Sequence, residues 1–178
     1  MEITTENLAS NSEHWASIDG YTNNQVSWWG RVRNVKTARI LKGGLASNGY
    51  TSVNLCKKGI KPKTHFIHQL VAHEWVNNSD GKACVVHIDG CRTNNHHENL
   101  RWASHSENSR NMKKHIDGSS VYKGVSFHKS SNKWNARIMI QGKAMSLGLF
   151  KIEKEAAEAY NAAAAKFYKN FARLNDLD

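Results

Sequence analysis

The sequence predicts an α+β fold in three parts: a small N-terminal β-rich module, a central strand–loop–strand–helix unit, and a C-terminal three-stranded antiparallel sheet packed on one helix. Turn signals break residues 15–55 into short strands. Residues 85–108 hold two short apolar runs around a polar loop, followed by a helix start. Residues 121–127, 134–140 and 144–150 show three short strand patterns, and an alanine-rich helical pattern covers 153–168.

We place the domain boundaries where these patterns change. Residues 1–13 are expected to be a flexible N-terminus, 14–60 the β-rich module, 61–114 the central unit with its leading helix (66–76), 115–120 a linker, and 121–178 the C-terminal domain. Asp117-Gly118-Ser119-Ser120 is the best linker signal.

The charge of the chain favours a polyanionic partner. Its 178 residues carry 25 Lys and Arg against 15 Asp and Glu, for a net charge of +10. Residues 20–73 contain nine basic residues and no acidic one. Nucleic acid is favoured over membrane, because no basic amphipathic helix or lipidation motif is present.

The sequence also argues against secretion and structural zinc. No apolar run resembles a signal peptide or a membrane span. Cys56, Cys84 and Cys91 form no C-x-x-C pair, so we expect reduced thiols in a cytoplasmic protein and no structural zinc.

The central stretch has the most informative spacing. Val85-Val86 and Leu100-Arg101-Trp102 indicate strands, and Asp89-Gly90 is a hairpin-type turn signal. Ser104 and Glu107 form a capping box, which predicts a helix that begins near His105 and carries Asn108. This order allows the side chains of three residues to converge on one face: His87, Asn99 and Asn108.

This stretch resembles the HNH nuclease core, the ββα-metal fold, of phage and intron-type homing endonucleases. The resemblance is carried by His87, Asp89-Gly90, Asn94-Asn95, Asn99-Leu100-Arg101-Trp102 and Asn108. It implies that His87 is the general base, that Asn99 orients His87, and that Asn108 binds a divalent metal, Mg²⁺ or another such as Mn²⁺. Arg92 and Arg101 are candidate phosphate contacts.

One position departs from that family. Many members have Asp or another metal ligand directly before the histidine, and this chain has Val86. Since Mg²⁺ prefers oxygen ligands, the loss of a carboxylate should weaken its binding. Three alternatives follow. Water and DNA phosphate supply the missing metal ligand, Asp89 or another side chain supplies it, or the protein has reduced activity.

The N-terminal module resembles the segment that precedes HNH cores in phage endonucleases. The matching residues are Trp15, Ile18-x-Gly20-Tyr21, Val26-Ser27, Gly30-Arg31-Val32-Arg33 and Gly49-Tyr50. The resemblance implies an association with DNA, and the acid-free basic composition supports it independently. Arg31, Arg33 and Lys36 are the candidate phosphate contacts.

The C-terminal segment resembles the ethylene-response-factor (APETALA-two) DNA-binding domain. The matches are Tyr122-Lys123-Gly124-Val125, Lys133-Trp134-x-Ala136-x-Ile138, Gly142-Lys143, Leu147-Gly148-x-Phe150 and Glu155-Ala156-Ala157-x-Ala159-Tyr160. The resemblance implies that the three-stranded sheet enters the major groove. The expected DNA-facing residues are Lys123, His128, Lys133, Arg137 and Lys143.

Together these patterns predict a site-directed endonuclease for double-stranded DNA that nicks one strand, acts as a monomer or weak dimer, and needs no small-molecule cofactor. The alternative is a sequence-specific DNA-binding regulator with an inactive nuclease centre, which Val86 favours. A third hypothesis, an RNA-directed protein, is weaker because the C-terminal segment resembles a duplex-DNA reader.

Overall fold

The structure is a computed structural model that describes residues 12–57, 59–112 and 118–178. The chain divides into two compact units, Met1–Ser104 and His105–Asp178, which are described separately. Residues 1–11 of the predicted flexible N-terminus and 115–117 of the predicted linker lie outside the described residues. Within the described ranges, no helix is long and apolar enough to cross a membrane.

Small antiparallel sheets and one central helix make up the first unit. One sheet contains β1 (Trp15–Ile18), β2 (Tyr21–Ser27) and β3 (Val32–Asn34), and a second contains β4 (Gly44–Leu45), β5 (Thr51–Lys57) and β6 (Ile60–Phe66). Helix α1 (Ile67–Trp75) follows, and a hairpin of β7 (Cys84–His87) and β8 (Leu100–Ala103) completes the unit.

A single hydrophobic core joins the N-terminal sheets to the HNH-like hairpin. Val26 of β2, Leu55 of β5, Val71 of α1 and Leu100 of β8 are buried together in it. The predicted boundary between residues 60 and 61 therefore falls inside a compact unit, at the first residues of β6. We did not expect β6, because Lys61, Lys63 and their neighbours show no apolar alternation; the strand is set by its pairing with β5.

The second unit begins with α2 (His105–Asn111), which starts where the capping box predicts. Strands β9 (Val125–His128), β10 (Lys133–Ile140) and β11 (Lys143–Phe150) form an antiparallel sheet in the order β11–β10–β9. Helix α3 (Glu153–Tyr168) buries Ala156, Ala157, Tyr160 and Ala164 against that sheet, as the alanine-rich pattern predicts. The α+β fold class is confirmed.

The predicted strand at 121–127 is shorter than expected. Residues 121–124 form a bend instead, and Gly124 has φ +77° with Tyr160 so close that an added Cβ would lie 2.0 Å from its ring. Only glycine fits at this point, because a left-handed backbone and a close approach occur together. Asn175 holds the same bend through hydrogen bonds to both backbone groups of Lys123.

Candidate active site

His87 is the last residue of β7 and lies opposite Leu100 of β8. Its side chain is 4% exposed, so the ring is held by its surroundings and is not free in solvent. Burial lowers the pKa of His87 below its usual value of 6.5; nearby Arg92 lowers it further, while Asn95 and Asp89 act in the opposite direction. The imidazole is therefore neutral near pH 7 and can accept a proton.

The side chain of Asn95 is hydrogen bonded to the His87 ring. Its Oδ1 lies 3.1 Å from Nε2 of His87, and its Nδ2 donates to Thr51 Oγ1 at 2.5 Å and to the Thr93 carbonyl at 3.3 Å. A carbonyl can only accept, which assigns the nitrogen of the amide to the Thr93 side. Oδ1 then faces His87, so Nε2 carries the proton and Nδ1 is the basic nitrogen of the neutral ring.

The His87 ring packs against the rings of the buried His68 and the partly buried Tyr50. His68 of α1 is 5% exposed and lies 5.2 Å from the His87 ring, centroid to centroid. Tyr50 lies 4.6 Å from His68 and 5.8 Å from His87. Burial, followed by repulsion from His87, lowers the pKa of His68 to about 4. His68 is thus neutral at physiological pH and adds no positive charge beside His87.

Asn99 holds the hairpin loop that follows His87. Its Oδ1 accepts from the Asp89 backbone N–H at 3.1 Å, and its Nδ2 donates to Asp89 Oδ1 at 3.0 Å and to the Asn94 carbonyl at 2.8 Å. The Asn99 backbone carbonyl also accepts from the N–H of Ile88. The expected role of Asn99 in orienting His87 stays a prediction. The structure adds a contact that the sequence did not single out, between the side-chain amide of Asn95 and the His87 ring.

Asp89 is the centre of this loop network. Its carboxylate accepts from Asn99, from Asn94 Nδ2 at 2.8 Å and from the Cys91 N–H at 2.7 Å. Desolvation acts to raise the pKa of Asp89, but these three hydrogen bonds together outweigh it and lower the pKa. The carboxylate is ionised, and its bonds within the loop give it a structural role.

The donor set next to His87 does not complete a cation site. Val86 is 4% exposed and offers no oxygen at the position where many family members carry a ligand. Asp89 is engaged by three donors of its own loop. Across the described ranges, no three His, Cys, Asp or Glu side chains form a metal-binding group. Asn108 lies on α2, partly buried, in the second unit, and its role as a metal ligand stays a prediction.

The candidate phosphate contacts of the first unit differ in how firmly they are held. Arg31 pairs with Glu13, while Arg33 donates to Gln25 Oε1 and stacks 4.2 Å above the Trp15 ring. Lys36 is exposed.

Arg92 donates to the Asn48 carbonyl at 2.7 Å and lies over Tyr50, next to the His87 pocket. Arg101 is partly buried on β8.

In the second unit, three of the predicted DNA-facing residues share one face of the sheet. Lys133 pairs with His128 across β10 and β9, and Arg137 lies on the same face of β10 because side chains alternate along a strand. That face is opposite to Ala136 and Ile138, which are buried. Lys143 is exposed, but it pairs with Ile140 and therefore lies on the other side of the pleat.

Lys123 does not lie on that face either. Its ammonium donates to the carbonyls of Arg110 and Met112, both at 2.6 Å, at the end of α2. Burial, with a smaller repulsion from Arg173, lowers the pKa of Lys123 to about 8. This lysine caps a helix, a role that the sequence pattern could not distinguish from DNA contact.

Comparison with known families agrees with the sequence resemblances. Residues 13–56 match the NUMOD4 motif, and residues 65–110 match the HNH endonuclease family. The second range contains His87, Asn95, Asn99 and Asn108. The gap between the two matches falls at the β5–β6 hairpin of the first unit.

Two viral proteins are similar to somewhat more than half of the chain. An uncharacterised HNH endonuclease of Acanthamoeba polyphaga mimivirus is 41% identical over 110 residues, which are 60% of this chain and 27% of that protein. The DNA endonuclease I-HmuI of Bacillus phage SP01 is 37% identical over 99 residues, which are 55% of this chain and 56% of that protein. The chain thus spans little more than half of I-HmuI and about a quarter of the mimivirus protein.

Structural comparison gives the same relationship. A solved structure described as DNA binding and cleavage by the HNH homing endonuclease I-HmuI superposes with a TM-score of 0.50 at 37% identity, covering 55% of this chain and 56% of that one. The C-terminal part is similar to another class: an AP2-like ethylene-responsive transcription factor of Arabidopsis thaliana is 48% identical over 52 residues, 28% of this chain and 10% of that protein.

Proposed function

The chain carries an HNH endonuclease domain together with a NUMOD4 motif and an AP2-like C-terminal segment, and we propose on this basis that it is a site-directed endonuclease of double-stranded DNA. The observation that carries the proposal is the buried, hydrogen-bonded His87 at the end of β7. A histidine fixed in one tautomer with a depressed pKa suits a general base.

In the proposed mechanism, His87 takes a proton from the attacking water. Asn95 would accept a hydrogen bond from Nε2–H and so hold the imidazole in one orientation during proton transfer. Asn99 and Asp89 keep the loop closed, so that the position of His87 relative to the hairpin is constant. Arg92, exposed beside the pocket, would contact a phosphate of the strand being cut.

DNA recognition is assigned to the two flanking regions. Basic residues of the N-terminal sheets would contact phosphates and fix the protein along the duplex. The sheet face with His128, Lys133 and Arg137 would enter the major groove, which is wide enough for a β-ribbon. One centre of this kind would cut one strand at a time, so nicking by a monomer is the simplest outcome.

The HNH resemblance implies a divalent cation, Mg²⁺ or Mn²⁺, which would stabilise charge at the scissile phosphate. The residues around His87 do not fit a complete cation site, so the proposed steps rest on the side chains named above. Conversion of supercoiled plasmid to nicked circles by the protein, with Mg²⁺, with Mn²⁺ and with EDTA, tests both the activity and its metal requirement.

A DNA-binding regulator with an inactive nuclease centre is the second candidate function. The buried Val86 favours it, because the position next to His87 carries no ligand. Tight binding to duplex DNA without any cutting of plasmids that carry the protein's genomic surroundings, in Mg²⁺ or Mn²⁺, would establish this alternative and overturn the endonuclease.

A further inference from the structure

Trp29 borders an open groove next to the His87–Asn95 contact. The indole is 53% exposed although it lies in the turn between β2 and β3, close to the buried core. The groove has a volume of about 560 Å³ and is lined by Trp29 and by side chains of the 93–99 loop, including Asn94, Asn95 and Asn99. This volume lies within the range of ~300–1,000 Å³ that is typical of small-ligand pockets.

The turn that carries Trp29 is fixed to the opposite wall of the groove. The backbone carbonyl of Trp28 accepts a hydrogen bond from the backbone N–H of His97 at 2.8 Å. The Trp28 indole also stacks on the His97 imidazole, with 5.3 Å between the ring centroids. Gly30 has φ +85°, and a Cβ added to it would lie 2.7 Å from the Cβ of Asn95. Since the two walls contact each other so closely, the distance between Trp29 and the His87 pocket is set by the fold.

The polar groups of the groove suit a nucleobase better than a phosphate. Glu98 is one of the lining residues, and the lining includes no Lys or Arg among the described residues. Asn94 uses one N–H to bind Asp89, and its side-chain carbonyl has no partner within the described ranges. Asparagine amides and carboxylates pair with base edges, whereas a carboxylate repels a phosphate.

We propose that this groove binds one unstacked nucleobase of the DNA, stacked on Trp29 and hydrogen bonded to Asn94. The inference rests on the proposed endonuclease function, since it is the DNA being cut that would bring the base there. Asn95 lines the groove and also binds His87, so an occupied groove would hold the strand next to the general base. Trp29 would act as a binding residue that positions the strand, without a part in the proton transfer.

The test uses a short synthetic duplex with a single unpaired 2-aminopurine and the same duplex fully paired. Stacking on the indole should quench the 2-aminopurine fluorescence, and the unpaired probe should bind more tightly than the paired one. Because base–aromatic stacking contributes strongly to single-base binding, Trp29→Ala should weaken binding of the unpaired probe by about tenfold or more and abolish the quenching. Trp29→Phe should retain most of both.

Leu45→Ala is the matched control, since Leu45 is 69% exposed on β4 and does not line the groove. It should bind both probes as the wild-type protein does. Equal binding of the unpaired probe by wild type and Trp29→Ala would overturn the inference, as would a wild-type protein that does not distinguish the probes.

The outcome is separable from that of the nuclease proposal. Plasmid nicking with no effect of Trp29→Ala on either probe would leave the endonuclease standing and overturn the groove assignment. Trp29-dependent binding and quenching by a protein that cuts no plasmid would support the groove and refute the endonuclease.

Discussion

Nε2 of His87 and Oδ1 of Asn95 lie 3.1 Å apart, and both side chains are buried, at 4% and 6% exposure. They are eight positions apart in the chain, and Thr51 of β5 fixes the far side of the amide. The tautomer of His87 is therefore determined by a hydrogen bond that reaches the N-terminal sheets. This connects the NUMOD4 region to the proposed general base through one side chain.

Replacing Asn95 should damage catalysis more than DNA binding. In Asn95→Ala the His87 ring loses its hydrogen bond to Asn95 Oδ1. Misplacement of a catalytic group by about 1 Å can cost about 10²-fold in rate. Thr51→Val, which removes only the outer acceptor, should give a smaller loss. Nicking rates and filter-binding affinities measured on the same preparations check this, with thermal unfolding to show that each variant is folded. Wild-type nicking by Asn95→Ala would contradict the orienting role.

His68 should make the protein acid-sensitive. Its pKa is about 4 in the folded protein and the ordinary 6.5 in the unfolded chain, so the unfolded chain binds more protons between these pH values. Stability should therefore fall as pH is lowered from 6.5 towards 4, by up to about 3 kcal/mol from this residue. Urea unfolding at several pH values measures the slope.

His68→Phe provides the comparison, because it fills the site without a titrating group. That variant should lose a large part of the acid-dependent slope, while His73→Phe, at an exposed position of α1, should keep the wild-type slope. Parallel pH profiles for wild type and His68→Phe would show that His68 does not titrate as argued.

Lys123 and Arg137 should behave oppositely although both were expected to face DNA. Lys123→Gln loses the charged hydrogen bonds to the end of α2 and should lower the free energy of unfolding by about 2 kcal/mol. Arg137→Gln, at an exposed position, should leave unfolding unchanged, weaken DNA binding, and reduce the slope of log K against log salt by about 1. Chemical denaturation measures the stability of both variants, and salt titration of DNA binding measures the phosphate contact of Arg137. Wild-type stability of Lys123→Gln would refute the capping role of Lys123.

Introducing a carboxylate before His87 should create metal dependence of stability. Val86→Asp places an isolated carboxylate at a buried position, so its unfolding temperature in EDTA should fall below that of wild type. Mg²⁺ or Mn²⁺ should restore part of that loss if the position faces a cation site, because a ligand that binds only the native state stabilises it. Val85→Asp, one residue earlier on β7, is the control and should not respond to the metal. Equal responses by the two variants would exclude a cation next to residue 86.

The parts of this structure that the sequence predicted are those with local signals. Helix α3 begins and ends where its alanine pattern does, the capping box marks the start of α2, and Asp89-Gly90 marks the β7–β8 hairpin. The family motifs also identified the HNH and AP2-like regions. Each of these signals is contained within a few neighbouring residues.

The parts that were missed depend on contacts between distant residues. Asn95 was identified only as a motif residue, because its role requires Thr51, which lies 44 residues away. Likewise, β6 exists because it pairs with β5, and Lys123 caps α2 because the bend at Gly124 packs on Tyr160. Local pattern and charge contain no information on such pairings, and a basic residue that caps a helix has the same sequence signal as one that binds phosphate.

The most direct test of the central claim compares plasmid nicking and DNA binding for wild type, His87→Ala and His73→Ala. If His87 is the general base, His87→Ala should bind duplex DNA as the wild type does but produce no nicked circles, while His73→Ala should nick normally. Undiminished nicking by a folded His87→Ala protein would contradict the account, and the catalytic centre would have to lie elsewhere in the chain.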